Sequence, residues 1–200
     1  MAYPAKTNHA SILQTAMDLL SQHGLHGISI RSVAAALNLA PNALYRYFAD
    51  REALESAVAA EVAARLHIVL IKACKAKSPE ASIRSLAAAY LLFAKKQHLL
   101  YEALLVPRPT SGDAAVAPEQ LWLFVVEQVS RVSGDRAKQQ AAVALWAMLH
   151  GMAALQSVNA FNAEKPRSSL EFALTAWMQA AHAAKRAHRP ASRTAQRNSA

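Results

Sequence analysis

The sequence contains little of what a disulfide-bonded, fibrous or membrane-spanning protein needs. Its 200 residues include one cysteine, Cys74, with 5 glycines and 8 prolines. A single cysteine excludes a disulfide framework and indicates a packing residue in a reducing compartment, and the scarcity of glycine and proline excludes a collagen-like chain. The longest apolar stretch, residues 141–155, is interrupted by His150 and falls short of the ~20 residues that a membrane span requires. We therefore expect no membrane-spanning helix.

The sequence also lacks signals for export and for common enzyme chemistry. Lys6 precedes a polar stretch with no apolar segment ending in a cleavage site, so we expect a cytoplasmic protein. There is no glycine-rich phosphate loop, no His-Glu-x-x-His pair and no cysteine cluster, and Cys74 has no histidine nearby in the sequence to activate it. These absences predict that the chain is not an enzyme and needs no cofactor.

Alanine dominates what is present. It supplies 46 of the 200 residues, and hydrophobic residues make up 54% of the chain. Because alanine has the highest helix propensity and no alternating strand pattern occurs, the sequence predicts an all-α protein. The length suits one compact unit or a small domain joined to a larger one.

Positive charge is concentrated at the C-terminal end. The chain has 22 lysines and arginines against 13 acidic residues, a formal net charge of +9 that favours polyanionic partners. Residues 185–200 contain five basic residues and no acid, whereas residues 1–60 contain four of each sign. We interpret residues 190–200 as a basic, disordered tail, with a DNA-gripping arm as the alternative. The net charge therefore does not locate a nucleic-acid site.

Apolar periodicity and capping residues predict short helices followed by long ones. Asn38 tolerates the left-handed conformation and Pro41 suits a first helical position, so a tight turn is expected between them. A loop is predicted over residues 107–118, where prolines and a glycine occur. The predicted helices are Thr7 (as cap) to Gly24, Ser29 (as cap) to Leu37, Pro41 to Phe48, Arg51 to about Lys77, Pro79 to Lys96, His98 to Val106, Pro118 to Ser133, Gly134 to Asn159, and Ser168 to His188.

The second and third predicted helices, joined by a short turn, are typical of a helix-turn-helix, whose second helix enters the major groove of DNA. With Leu44 and Phe48 turned inward, Asn42 and Arg46 share one outward line and Ala43 lies on the next. Asparagine bonds adenine, arginine bonds guanine, and an alanine methyl meets a thymine methyl.

Phosphate contacts are expected next to these positions. Tyr45 and Tyr47 suit phosphate oxygens, and Arg51 at the start of the fourth helix can complete a clamp. The alternative is that the tyrosines pack at a rim and Arg46 is only solvated. The pattern itself leaves both interpretations open.

The segments Ser29–Ala34 and Leu44–Leu54, with Leu-Tyr-x-x-Phe followed by a basic residue, an acid and leucine, resemble the DNA-binding region of TetR-family transcriptional regulators. The resemblance covers residues 8 to 56. In the second half, Trp146 followed by His150 and Gly151 is similar to the Trp/His-Gly signature of one TetR C-terminal subgroup. The resemblance implies a dimer of all-α subunits with a DNA-binding domain at residues 1–55, an effector-binding and dimerisation domain at 56–189, and the tail at 190–200.

The resemblance also implies roles for individual residues. Arg31 corresponds to a base-contacting position of the family. Tyr45, Tyr47 and Arg51 correspond to phosphate-contacting positions. The sequence departs from the family at the turn, where Asn38 and Ala40 replace the frequent glycine and serine, and at Ile30, where threonine is frequent and contacts a phosphate. Asn42 and Ala43 differ from the common Lys-Gly or Gly-Thr pairs, so the operator cannot be inferred from relatives. The predicted DNA-binding residues are Arg31, Pro41, Asn42, Ala43, Tyr45, Arg46, Tyr47 and Arg51.

An effector pocket is implied among the long helices. Gly151 in a predicted helix interior indicates close approach of another helix or a ligand, and His150 beside it is a satisfied core histidine or an effector contact. A mostly apolar pocket would suit a small hydrophobic or aromatic molecule, although aromatic residues at helical spacing equally suit a plain core. The predicted effector-binding residues are Tyr90, Phe93, His98, Tyr101, Trp122, Trp146 and His150.

Dimerisation is expected through the last two long helices, so that a two-fold dimer would bind a roughly palindromic operator. The residues expected at that interface are Val143, Ala147, Ala154, Leu170, Leu174, Trp177 and Ala181.

The sequence therefore predicts a TetR-like regulator, a repressor released from its operator by a small effector. One alternative is a helical small-molecule-binding protein or enzyme without sequence-specific DNA binding. A metal-responsive module is the other, because His67, His98, His150 and His182 are present, but they fall on different predicted helices and no metal site is expected.

Overall fold

The protein is all-helical. The computed structural model describes residues 8–75, 78–105, 112–158, 160 and 166–187, and within these ranges the chain forms nine α-helices, two short 3₁₀ helices and no strand. The all-α class predicted from composition is confirmed. The α-helices are α1 (His9–His23), α2 (Ile30–Ala36), α3 (Pro41–Leu44), α4 (Arg51–Ala73), α5 (Pro79–Lys96), α6 (His98–Glu102), α7 (Asp113–Ser133), α8 (Lys138–Ser157) and α9 (Pro166–Ala187).

Residues 8–50, with α1, α2 and α3, form a small head whose first helix packs on α4 and α6. Its helices share one apolar core because each buries a single face. The rest of α4 continues without a break into the body, formed by α4 to α9, and passes through the domain boundary predicted at residues 55 and 56. The fully or almost fully buried residues of the head include Ile12, Leu20, Val33, Leu44 and Phe48.

The turn between α2 and α3 is a Schellman motif. The Leu39 amide donates to the Ala34 carbonyl (2.9 Å) and the Asn38 amide donates to the Ala35 carbonyl (3.1 Å). Asn38 adopts φ +57°, the left-handed conformation that this motif requires at its turning residue. Pro41 then occupies the first turn of α3, where its missing N–H leaves no helical bond unmade. The predicted turn is confirmed.

The N-terminal caps set where α1 and α2 begin. Ser29 caps α2 as predicted, and its hydroxyl forms a reciprocal capping box with Ser32. The cap of α1, however, is Asn8, which forms a capping box with Ser11. The predicted cap, Thr7, lies outside the described residues.

The third helix is shorter than predicted. It ends at Leu44 instead of Phe48, and residues 45–47 form a turn in which the Tyr47 and Phe48 amides both donate to the Leu44 carbonyl. Asp50 must be extended (φ −156°) to cap α4 through the Ala53 amide, so the chain leaves the helical conformation before it. Leu44 and Phe48 are nevertheless both buried, as predicted.

Two long helices also begin at other residues than predicted. α7 starts at Asp113, so that Pro118 lies inside the helix instead of at its beginning. The preceding residues join the helix because Asp113, Ala114 and Ala117 lie beside α4, on which α7 packs. Pro118, in the second turn, gives up one backbone hydrogen bond. α8 starts at Lys138, since Gly134 at φ +76° ends α7 and residues 135–137 form a turn.

In the body, α4, α5, α8 and α9 pack around α7. α7 contacts α4, α5, α8 and α9, and α5 also contacts α8. Polar bonds fix α9: the Trp177 indole Nε1 donates to the Ala141 carbonyl (3.0 Å), the Lys185 ammonium donates to the Arg131 carbonyl (2.7 Å), and Arg84 pairs with Glu171. Among the described residues, no helix is both long and apolar enough to cross a membrane.

Candidate nucleic-acid interface

The predicted DNA-binding residues lie at the exposed surface of the head, with one exception. Ala43 is half-buried and packs against the core, because it lies beside buried Leu44 on a helix of four residues. Ala43 is therefore less exposed than predicted. The exposed members of the set are Arg31, Pro41, Asn42, Tyr45, Arg46, Tyr47 and Arg51.

The two tyrosines differ in their surroundings. Tyr45 is 53% exposed, while Tyr47 is 40% exposed and borders a groove shared with His9 of α1. The His9 ring lies against Phe48, with centroids 4.8 Å apart. Tyr47 is therefore partly exposed and also lines this groove, whereas Tyr45 is more exposed and lies next to Arg46 in the chain.

The arginines of the surface are available to an anionic partner. Neither Arg31 nor Arg46 forms an ion pair with any residue that the structure describes. The Arg51 Nε donates to the Glu55 carboxylate at 2.6 Å, one turn further along α4. An exposed pair of this kind contributes about 0–1 kcal/mol, so Arg51 can exchange Glu55 for a phosphate at small cost.

Five of the seven predicted effector-binding residues form one aromatic cluster in the body. The Tyr90 and Trp146 ring centroids are 5.2 Å apart, Tyr90 stacks on His150 at 5.5 Å, and Trp122 meets Trp146 edge-on at 6.3 Å. The Tyr90 hydroxyl is hydrogen-bonded to the Tyr101 hydroxyl (3.2 Å) and to Nδ1 of His150. The aromatic cluster, Tyr90, Tyr101, Trp122, Trp146 and His150, therefore has a polar centre inside an apolar wall.

Burial fixes the chemistry of that centre. Tyr90 is fully buried, Tyr101 is almost so, and the other three members are half-buried. Burial raises the pKa of Tyr101, which outweighs the opposing hydrogen bond from Tyr90. Tyr101 is thus a neutral phenol near pH 7, able to donate as well as accept a hydrogen bond.

The remaining two predicted effector-binding residues lie away from the aromatic cluster. Phe93 is buried on α5, but no ring contact joins it to the cluster within the described part of the chain. His98 is exposed at the start of α6, where it borders a shallow cleft of about 140 Å³ that also includes Ser21 of α1. His98 follows the helix break at Gln97, and its cleft is shared with the head instead of with the cluster.

The structure corrects the expectation for Gly151. A Cβ built on this residue has nothing within 4 Å in the described chain, and the glycine is exposed on α8. No residue of another described helix approaches it, so the close approach predicted from this glycine does not occur within the described part of the chain.

Three residues predicted at a dimer interface are instead internal. Leu174, Trp177 and Ala181 are buried, because this face of α9 packs on α7 and α8 of the same subunit. Val143, Ala147 and Ala154 are exposed on α8, and Leu170 is half-buried. The apolar face that remains open on α9 carries Phe172, which is 80% exposed.

Sequence reasoning missed the groove beside Tyr47. It lies between α1, the segment after α3, α4 and the start of α7, with a volume of about 380 Å³. The available signal was the spacing of alanines at residues 53, 57, 60 and 64, which share one face of α4. No group of three or more histidine, cysteine, aspartate or glutamate side chains among the described residues is placed to hold a metal ion.

Two family models match separate parts of the chain. Residues 12–58 match the model for bacterial regulatory proteins of the tetR family, and residues 83–177 match a tetracyclin repressor-like C-terminal domain. The first match contains the helix-turn-helix, and the second contains the aromatic cluster.

Individual relatives agree with these models. An uncharacterized HTH-type transcriptional regulator, YobS of Bacillus subtilis (strain 168), is 22% identical over 84% of this chain and 88% of its own. The tetracycline repressor protein class D of Escherichia coli is 33% identical over 32% of this chain and 29% of its own length.

Solved structures share the fold over nearly the whole chain. A protein of unknown function from Rhodococcus sp. RHA1 has a TM-score of 0.75 at 22% identity, covering 90% of this chain and 98% of that one. The regulator SCO7222, a TetR from Streptomyces coelicolor, has a TM-score of 0.70 at 17% identity, covering 89% and 99%. The matched families are transcriptional regulators, not enzymes. The chain belongs to the TetR family of helix-turn-helix, DNA-binding transcriptional regulators.

Proposed function

We propose that this TetR-family regulator is a repressor that binds a roughly palindromic operator as a homodimer and is released by a small hydrophobic or aromatic effector. The observation that carries the DNA-binding part is the outer surface of α3 and of the turn that follows it, where Asn42 and Arg46 are exposed and Arg46 has no ion pair among the described residues. In this proposal residues 1–55 bind DNA, residues 56–189 bind the effector and the second subunit, and residues 190–200 are a basic tail.

The contacts follow from side-chain chemistry. With α3 in the major groove, Asn42 bonds adenine and Arg46 bonds guanine through two parallel hydrogen bonds. Tyr45, Tyr47 and Arg51 flank them and contact phosphates, which fixes the orientation of α3 without specifying sequence. Arg31, exposed on α2, supplies a further contact.

An exposed apolar face on α8 and α9 supports the homodimer. Val143 is 56% exposed and Phe172 80% exposed, and Ala147, Gly151 and Ala154 continue the face along α8. Large apolar side chains this exposed are stabilised by burial, and small residues permit close helix approach. A second copy presenting the same face would cover it symmetrically.

The aromatic cluster is the proposed effector site. An aromatic effector would displace or insert between its rings and bond the polar centre of Tyr90, Tyr101 and His150. Effector binding acts by population shift, in which it favours a body conformation whose α4 helices hold the two heads at a spacing that no longer matches successive grooves. α4 suits this role because it is one continuous helix from the head into the body.

The test is fluorescence anisotropy of the full chain on DNA from upstream of its own gene, against a shuffled fragment at several salt concentrations. Specific binding exceeds non-specific binding by about 10³-fold or more. Arg46→Ala should remove most of that difference. Arg136→Ala is the matched control, because it removes the same charge from an exposed position between α7 and α8.

The two variants separate sequence recognition from general attraction to phosphate. If the upstream and shuffled fragments bind equally at all salt concentrations, the upstream fragment is not an operator and the proposal fails for it. If Arg136→Ala reduces specificity as much as Arg46→Ala does, α3 is not the recognition element.

A further inference from the structure

A groove at the junction of head and body has the size of a small-molecule site and lies apart from the aromatic cluster. It is lined by His9 and Tyr47 of the head, by the start of α7 and by one face of α4, which we call its floor. Its volume of about 380 Å³ lies within the range of ~300–1,000 Å³ typical of ligand pockets. We call it the junction groove.

The floor of the junction groove is flat and apolar. Ala53, Ala57, Ala60 and Ala64 follow one another at helical spacing along α4, and Ala117 faces them from α7. Each is half-buried, so the floor remains accessible. Because no side chain longer than a methyl group projects from these five positions, a planar molecule can lie directly on the helix surface.

The walls carry two features that each favour a positive charge. The rings of Tyr47 and His9 border the groove, and the face of an aromatic ring such as tyrosine attracts a cation. Two carboxylates, Glu61 of α4 and Asp113 of α7, line the same groove. Glu61 is paired with Arg65 at 3.0 Å, whereas Asp113 has no ion pair among the described residues.

We propose that the junction groove binds a flat organic cation, with its ring system on the alanine floor and its positive charge between the Tyr47 ring and the Asp113 and Glu61 carboxylates. This preference runs against the charge of the protein as a whole, which is +9 and favours anions at a distance. It is therefore a property of the groove and not of the surface in general.

The bound cation acts on the head. Tyr47 belongs to the proposed phosphate-contacting set, so a ligand stacked on it competes with the operator backbone. The Glu61 carboxylate bonds Arg65, whose guanidinium also donates to the Gln14 side chain of α1 at 3.5 Å. A cation that draws Glu61 toward itself weakens this link between α4 and α1. The effect on DNA rests on the proposed function, whereas the binding itself does not.

The experiment is isothermal titration calorimetry of the full chain without DNA, using two probes with the same ring system and opposite charge. The cation is (2-naphthylmethyl)trimethylammonium and the anion is 2-naphthylacetate. The cation should bind at least about tenfold more tightly. Equal affinity, tighter binding of the anion, or no binding of the cation would overturn the proposal.

Two variants locate the site. Ala60→Leu places a larger side chain on the floor without lowering helix propensity, and it should weaken cation binding by at least about tenfold. Ala88→Leu makes the same change at an exposed position of α5 and should leave cation binding unchanged. Asp113→Asn should weaken binding about threefold to fivefold, as expected for an exposed ion pair, and Glu119→Gln on the outer surface of α7 should not. Full affinity in Ala60→Leu would refute the location.

The DNA assay distinguishes failure of this inference from failure of the proposed function. Operator binding by a chain that does not bind the cation overturns only the junction groove as a site. The chain can also bind the cation, lose that binding in Ala60→Leu, and show no specific DNA binding. That result supports the junction groove as a site and refutes the proposed effect of the cation on DNA binding.

Discussion

The orientation of α3 depends on one residue in a rare conformation, which makes Asn38 a sharp test of how the head is built. Its φ of +57° closes the Schellman motif that joins α2 to α3. Asparagine and glycine occupy this conformation readily, whereas a β-branched residue there is a genuine outlier. Asn38→Val should therefore strain the turn, and Asn38→Gly should not.

The expected size of the effect follows from backbone energies. The left-handed conformation costs about 1–2 kcal/mol for a residue with a Cβ, and branching places Asn38→Val at the upper end, about 2 kcal/mol. For a chain of this length that corresponds to a fall in Tm of about 4–8 °C. If the free head relieves the strain by moving α3, DNA binding must restore it, and operator affinity falls by up to about 30-fold.

The assay pairs urea unfolding with operator anisotropy, at one fixed protein concentration because the stability of a dimer depends on concentration. Ala36→Val is the matched control: it adds a β-branched side chain to an exposed position of α2 two residues earlier, where the backbone is helical, and should cost only about 0.5 kcal/mol. If Asn38→Val is no less stable than Ala36→Val and binds DNA normally, the turn does not set the position of α3.

Two further predictions concern the body. Burial lowers the pKa of His67 in the folded protein, so the unfolded chain takes up a proton first as the pH falls below about 6.5, and stability decreases there. Urea unfolding between pH 7.5 and 5.5 should therefore show a smaller loss of stability in His67→Gln than in the unchanged chain. An equal loss in both would contradict this assignment. Phe172→Glu should convert the proposed dimer to a monomer in sedimentation velocity, because the charge enters the open apolar face of α8 and α9. Leu92→Glu on exposed α5 should leave the oligomeric state unchanged, and a Phe172→Glu chain that still dimerises would place the interface elsewhere.

Local chemistry made several elements predictable. The Ser29 hydroxyl caps α2, Asn38 adopts the left-handed conformation, and Asp50 caps α4. The starts of these helices could therefore be predicted from residues next to them in the sequence. The burial of Leu44 and Phe48 was also predicted, and it holds although α3 ends at Leu44, because the Phe48 amide still donates to the Leu44 carbonyl as in a helical turn.

The predictions that were wrong concern features that depend on contacts between residues far apart in the sequence. Proline usually marks a helix start, yet α7 begins before Pro118 because its first turns gain contacts along α4. Leu174 and Trp177 have the composition of a dimer interface, but the rotation of α9 turns them onto α8, where the Trp177 indole finds the Ala141 carbonyl. Apolar spacing identifies a face of a helix, not the partner that covers it.

The predicted effector residues divide in the same way. Tyr90, Trp146 and His150 come together because α5 packs on α8. His98, which follows the helix break at Gln97, instead borders a cleft that it shares with Ser21 of α1. Sequence established the chemical types at these positions. It did not establish which of them share one space.

The sequence by itself determined the helical class, the capped and turned geometry of the DNA-binding head and the residues exposed on α3, because helix propensity, caps and turns act between residues a few positions apart. The tertiary structure alone decided which aromatics form the cluster, which face of α8 and α9 stays open, and where the junction groove lies. These depend on the rotation and register of helices packed against one another, which are set by side chains far apart in the chain.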